Sequence, residues 1–338
     1  MTTTRISGAL RLSMIVLAIV SLTGCSSSGG GGSDSPRPPA TEMTSSNGDS
    51  ESSGSDTSTS TGNGGNSSND PEVAPAPVYG TLTDGIPDDE TLTLNTANLR
   101  QTVSRDGFTG GRPSLSKQAT IEVVTKSLVR LRDPASGVDT LLTKAPNGRY
   151  SDGEITLVLT QTDWLDYTQM GAWFRADDQF DSHSFVGGYP THSTDMPTSG
   201  TASYQGRALG VASSNSASNT LTGNANMTVD FTDGTLNGAF TDMRVANSVS
   251  TSAIGSPRTD RTPRPWNDVS FTANLNDNTF AGRTRVTSVP DSAEAFNADA
   301  SGDIEGRFFG PQAAEAGGVW SLKDSSGNSA AGNFAVEQ

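Results

Sequence analysis

Cysteine is nearly absent from this chain: Cys25 is the only one in 338 residues. A lone thiol excludes an internal disulfide framework, so any exported domain here must hold together through its core. Histidine is almost as scarce, with His183 and His192 alone. Two histidines nine residues apart lack the tight spacing of a metal site, and no local Ser-His-Asp motif suggests nucleophilic catalysis. Phosphate-loop motifs are missing too, since the Gly29 to Gly32 run sits in a low-complexity tract. Apolar residues at helical spacing do not recur over any long segment, which excludes a helical bundle. Positive charge is also short. Twenty-two Lys and Arg face 37 Asp and Glu, a net charge of −15, which makes nucleic acid a poor partner.

What the N-terminus does have is order of another kind. Arg5 and Arg11 precede a continuous apolar run from Met14 to Val20, followed by small residues. That is the layout of a secretory signal. The run is too short for a membrane helix, which needs roughly 20 residues. It ends in Leu22-Thr23-Gly24-Cys25, which resembles the lipobox of bacterial lipoproteins. The resemblance implies that residues 1–24 are removed and that Cys25 becomes a lipid anchor. Two or more acyl chains, at about 0.8 kcal/mol per buried methylene, hold a protein on a bilayer nearly permanently. Ser26 after the cysteine, rather than Asp, implies export to the outer membrane.

Residues 25–75 are Ser, Gly, Thr, Asn and Asp with almost no aliphatic residue. Such a tract buries too little apolar surface to offset its ordering entropy, so a disordered tether is expected. As a coil of about 50 residues it spans roughly 40 Å. It carries seven acids against one base, Arg37. Loss of Arg5 and Arg11 leaves 20 bases against 37 acids, so the mature chain stands at −17.

Beyond the tether, short runs alternate apolar and polar residues between Gly, Asn and Asp, the pattern of strands and hairpins. Ala225 to Phe231, Asp233-Gly234 and Leu236 to Phe240 form the clearest pair. Val269 to Leu275 and Phe280 to Val286 form a second, and Ile304 to Phe308 with Gly318 to Leu322 a third. With a strand at Ala202 to Val211 and another at Gly332 to Val336, this predicts eight antiparallel strands over residues 194–338, closed as a barrel. An apolar residue, a gap, Gly, a gap and Phe recur at Leu236-Gly238-Phe240 and Ile304-Gly306-Phe308, as expected for a tightly coiled sheet. Phe231, Phe240, Phe271, Phe280, Phe308, Trp320 and Phe334 share one face and predict a filled interior. Residues 76–193 are less regular. Ile121 to Val124, Leu128 to Leu131, Ile155 to Leu159 and Trp164 to Phe174 read as strands of a separate handle-like antiparallel sheet. Leu92 to Val103 fits strand, loop or short helix.

Three passages then stand together. They are Asp166-Tyr167 to Gly171-Ala172-Trp173-Phe174; Gly188-Tyr189-Pro190-Thr191 with Met196 to Gly206; and Gly306-Arg307-Phe308-Phe309-Gly310-Pro311 with Ala314-Glu315, Gly317-Gly318, Trp320 and Gly332-Asn333-Phe334. Over about Tyr167 to Gln338 they resemble the barrel domain of transferrin-binding protein B and related surface lipoproteins. The resemblance implies a surface-displayed module that binds a protein ligand, iron- or haem-carrying among others, without a catalytic role. The transferrin receptor lipoprotein has two lobes, whereas this chain has room for one. No family binding residue is matched here residue by residue.

Two alternatives carry different chemistry: a small-molecule or haem carrier using the barrel mouth, and an integral membrane barrel. The second would show aromatic girdles, whereas aromatics are 6% of this chain and sit at mid-strand. Trp320 alternates with Gly318 and Leu322 as a core residue does. Trp266 differs, because it follows Arg258, Arg261, Pro263, Arg264 and Pro265 in a connection between strands. Trp266, Arg261 and Arg264 are therefore the candidate ligand-binding residues, since aromatics and arginines anchor interfaces. No metal ligand or cofactor is assigned.

Overall fold

The computed structural model describes residues 77–104, 107–175, 179–214, 217–250 and 258–338. The leader, Cys25 and the 25–75 tract lie outside the described residues. All regular structure among the described residues is antiparallel β-sheet, apart from two 3-10 turns.

The first sheet contains β1 (Glu90–Ser104), β2 (Gly107–Gly110), β3 (Ser114–Thr125), β4 (Leu128–Asp133), β5 (Val138–Lys144), β6 (Tyr150–Ser151), β7 (Ile155–Leu159), β8 (Thr168–Arg175) and β9 (Gln179–Gly188). The sequence predicts a separate, handle-like antiparallel sheet, without saying whether it closes. The sheet closes, because β1 also pairs with β9 from Leu94↔Gly187 to Thr102↔Gln179. The stretch left ambiguous, Leu92 to Val103, is the strand that closes it. A 15-residue strand can do so by pairing with β3 along one part and with β9 along the other. Its short-range pattern is blurred because both faces are buried over its middle, with Leu92 and Leu94 inside the barrel and Ala97 and Leu99 against the second sheet. The strand expected from Trp164 starts later, at Thr168, and Leu165 packs between the sheets.

The second sheet contains β10 (Thr201–Ser214), β11 (Ala217–Asp230), β12 (Thr235–Ser250), β13 (Arg258–Asp260), β14 (Arg264–Pro265), β15 (Val269–Asn276), β16 (Thr279–Val286), β17 (Ser301–Phe309), β18 (Glu315–Lys323) and β19 (Ser329–Glu337). Eight of them close a ring in the order β11-β10-β19-β18-β17-β16-β15-β12, sealed by β11–β12 pairing. This is the predicted eight-stranded barrel. The turn at Asp233-Gly234 is wider than a two-residue hairpin, since Asp230 pairs with Thr235 and four residues lie between. Phe231 turns inward there and joins the core.

The interior is filled. All seven residues expected on one face, Phe231 to Phe334, are buried in a single cluster. Phe240 lies 5.0 Å from Phe271, 5.6 Å from Trp320 and 5.3 Å from Phe334 between ring centroids, tilted in each case. The recurring glycines make this possible. Gly238 pairs with Phe271 and Gly306 with Phe280, and a Cβ on either glycine would collide with the partner's ring. The ring of one strand thus covers the bare backbone of the next, so barrel coiling and aromatic packing have one cause.

A third cluster joins the barrels: Leu99, Leu165, Met170 and Val186 from the first, Val211, Phe309, Val319 and Ala335 from the second. Polar groups fix its register. Asn333 on β19 donates to the carbonyls of Gly171 (2.9 Å) and Phe185 (2.7 Å). Glu315, almost fully buried, accepts from the backbone N–H of Asp166 (2.6 Å) and Tyr167 (3.2 Å), and burial raises its pKa.

Candidate functional site

β10, β11 and β12 have 14, 14 and 16 residues, while β15, β16 and β17 have eight, eight and nine. The long strands therefore overrun the short ones at one end of the barrel. The loop from Thr287 to Ala300 crosses that end and plugs it. Phe296 is fully buried and meets Trp266 edge-on at 5.1 Å. Asn267 holds the loop with its side chain, donating to Ser288 O (2.8 Å) and Phe296 O (3.0 Å) and accepting from Phe296 N–H (2.6 Å).

Trp266 is thus part of the plug. It is 2% exposed, and its Nε1–H donates to Glu294 O at 3.1 Å. The expectation of an exposed anchoring indole does not hold, because the ring fills the barrel end that the short strands leave open. Proline and arginine neighbours mark a rigid connection, and that signal is the same for a plug as for a recognition loop.

Above the plug lies an open cleft of about 580 Å³, lined by Ser248, Ser250, Arg258, Asp260, Arg264 and Glu294 among others. Strand register explains why these side chains converge. Ala217 pairs with Ser250 and Asn219 with Ser248, while Ser250 pairs with Arg258 and Ser248 with Asp260. Direct cross-strand partners share a sheet face, so all six stand on the same concave side. A bulge between Thr220 and Leu221 shifts the pairing with β12, and polar residues replace the apolar core beyond it. Asn219 lies on this face fully buried. Its Nδ2 donates to Ser214 Oγ (2.9 Å), which donates to Glu294 O (3.1 Å), while its Oδ1 has no partner.

The electrostatics are uneven. Arg264 donates to both oxygens of Glu294, at 2.8 and 3.2 Å, and also pairs with Asp260. Glu294 further accepts from Ser292 Oγ at 2.9 Å. The Thr262 backbone N–H, followed by Arg264, holds the Asp260 carboxyl down to about 2. Arg264 is therefore spent on its two acids. Arg258 and Arg261 are exposed, and neither has an ion-pair or hydrogen-bond partner among the described residues. Of the candidates named from sequence, Arg264 lines this mouth, and Arg261 is exposed next to Asp260 in sequence. Arg258 was read as part of the basic connection but not as a contact, and Glu294 was not named; strand register and the plug loop bring both to the cleft.

The histidines are not brought together. His183 stands on β9, stacked against Trp173 of β8 at 4.7 Å and 13°. It takes Asn98 Nδ2 at 2.9 Å from Nε2 and lies 3.5 Å from Asp133. Burial pushes its pKa down to about 4, against the pull of Asp133 and Asp181. His192 is exposed and packs against Tyr79. No cluster of three metal-ligating side chains occurs among the described residues.

The second barrel is thus an all-β module with a ring-filled interior, a plugged end and a charged outer mouth. Residues 196–338 match the family of C-lobe and N-lobe beta barrels of Tf-binding protein B, and this segment is a barrel domain of that type. No curated protein matches the chain. Among solved structures, the chain is similar to a transferrin-binding protein B mutant from Haemophilus parasuis (19% identity, TM-score 0.46). It covers 73% of this chain and 45% of that one. The isotype 1 protein from serogroup B Neisseria meningitidis is similar at 18% identity and TM-score 0.45, over 72% of this chain and 43% of that one. The N-lobe domain of lactoferrin-binding protein B from Moraxella bovis is similar at 15% and 0.35, over 75% and 100%. The chain thus spans less than half the length of the two transferrin-binding proteins.

Proposed function

We propose that this protein is a lipid-anchored, outer-membrane lipoprotein displayed at the cell surface, where it captures a protein ligand. The observation that carries the reading is the barrel over residues 196–338, whose type is found in a transferrin-binding protein. Its interior is packed with rings and closed by Trp266 and Phe296, so a ligand is met by the outer surface and mouth. That leaves a solute or haem carrier no passage into this barrel, and puts protein capture ahead of it. Arg261 and Arg264 are the proposed contacts, with Arg261 exposed and Arg264 held between Asp260 and Glu294. An iron-carrying host or environmental protein is the ligand class that the barrel family suggests.

Affinity capture from host or environmental fluids with the mature chain tests the reading. One protein should be enriched, and Arg261→Glu should reduce its recovery. If nothing saturable is retained, the capture function is wrong.

A further inference from the structure

The mouth of the second barrel has features that specify a ligand chemistry, and their use rests on the protein-capture reading above. β13 ends the run of strands that continues past the ring. It pairs with β12 on one side, through Ser248↔Asp260, Val249↔Thr259 and Ser250↔Arg258, and with no described strand on the other. Beside it lies the 580 Å³ cleft, within the size range of about 300–1,000 Å³ for ligand sites. An extended segment laid along β13 would pair with its free backbone and drop side chains into that cleft, the strand-addition mode of peptide recognition.

The lining fixes which side chain fits. Arg264 is shared between Asp260 and Glu294 and leaves that trio one negative charge, so Arg258 is the cleft's one cation without an ion-pair partner among the described residues. A planar guanidinium takes a carboxylate through two parallel hydrogen bonds. Hydroxyls of Ser248 and Ser250 stand on the same face as Arg258 and line the cleft with it. A dianion would face both acids at close range, whereas a single carboxylate seats on one arginine. We propose that this mouth binds an extended, acidic segment of a protein partner, with one Asp or Glu carboxylate seated on Arg258. The chain as a whole is acidic, so the contact is local and is not steered from a distance.

The test titrates the full mature chain with a ten-residue Ser/Thr peptide carrying two glutamates, against the same peptide with glutamines. Saturable binding of the glutamate peptide alone is expected. Arg258→Gln should weaken it about tenfold, the scale of one lost charge-assisted contact. Ser250→Asp, which supplies a carboxylate directly opposite Arg258, should weaken it similarly, and Arg258→Lys should retain part of it. Circular dichroism and Tm of each variant should match the parent, as expected for exposed positions. Equal binding in all variants, or equal binding of the glutamine peptide, overturns the assignment. Citrate binding without peptide binding also overturns it, in favour of a small free acid. Either failure leaves the fluid-capture result standing, so the two readings are scored apart.

Discussion

His183 occupies a place where charge is costly. Its ring lies against Trp173 with only 4% of the residue exposed, and burial lowers its pKa from 6.5 to about 4. The folded state therefore refuses a proton that the unfolded chain accepts. Stability should be unaffected above about pH 6.5 and fall as pH drops toward 4, by on the order of 3 kcal/mol. Denaturant unfolding at pH 7 and pH 4.5 checks this, and His183→Gln should flatten the difference. Trp320 is the counterpart in the second barrel, at 0% exposure among Phe240, Trp266 and the strand backbones. Trp320→Ala should cost about 3–5 kcal/mol by opening a cavity that rigid strands cannot close. A neutral effect in thermal unfolding would contradict the filled core.

Elements hold each other through few polar contacts, which makes some of them testable singly. Asn333 ties β19 to the carbonyls of Gly171 on β8 and Phe185 on β9. Asn333→Ala leaves two buried carbonyls without that donor, at a cost of about 1–3 kcal/mol. Unfolding should then lose cooperativity between the barrels, visible as separate transitions in calorimetry. The loop from Thr287 to Ala300 is held by Asn267 and Trp266. Trp266→Ala should loosen the plug and speed amide exchange at Phe296 first, with the first barrel unchanged.

At the scale of the whole molecule, anchoring and display are proposals that separate experiments decide. Cys25→Ser should leave a full-length precursor that incorporates no labelled fatty acid, and continued acylation would refute the anchor. Protease added to intact cells should cut within residues 26–75, where polar composition predicts an accessible tether, and release a resistant double-barrel core. Cleavage only after the outer membrane is breached would place the module in the periplasm.

Local pattern was enough for the second barrel. Alternation, turn residues and the Leu-x-Gly-x-Phe element predicted its eight strands and its ring-bearing face, although its closing pair joins β10 to β19 (Gln205↔Glu337) and β18 and β19 are buried on both faces. The first barrel was not legible in the same way. Its closing strand β1 carries a register shift between Leu94 and Thr96 and is buried at four consecutive positions from Leu94 to Ala97, which erases alternation there. The basic connection around Arg261 and Arg264 was visible as composition, yet whether Trp266 faced a partner or plugged a barrel depended on strands of unequal length. Arg258, Ser248 and Ser250 come together only through cross-strand register. Nearest-neighbour chemistry is written along the chain, whereas which faces meet, and which charge is left unpaired, is decided by contacts between residues the chain keeps apart.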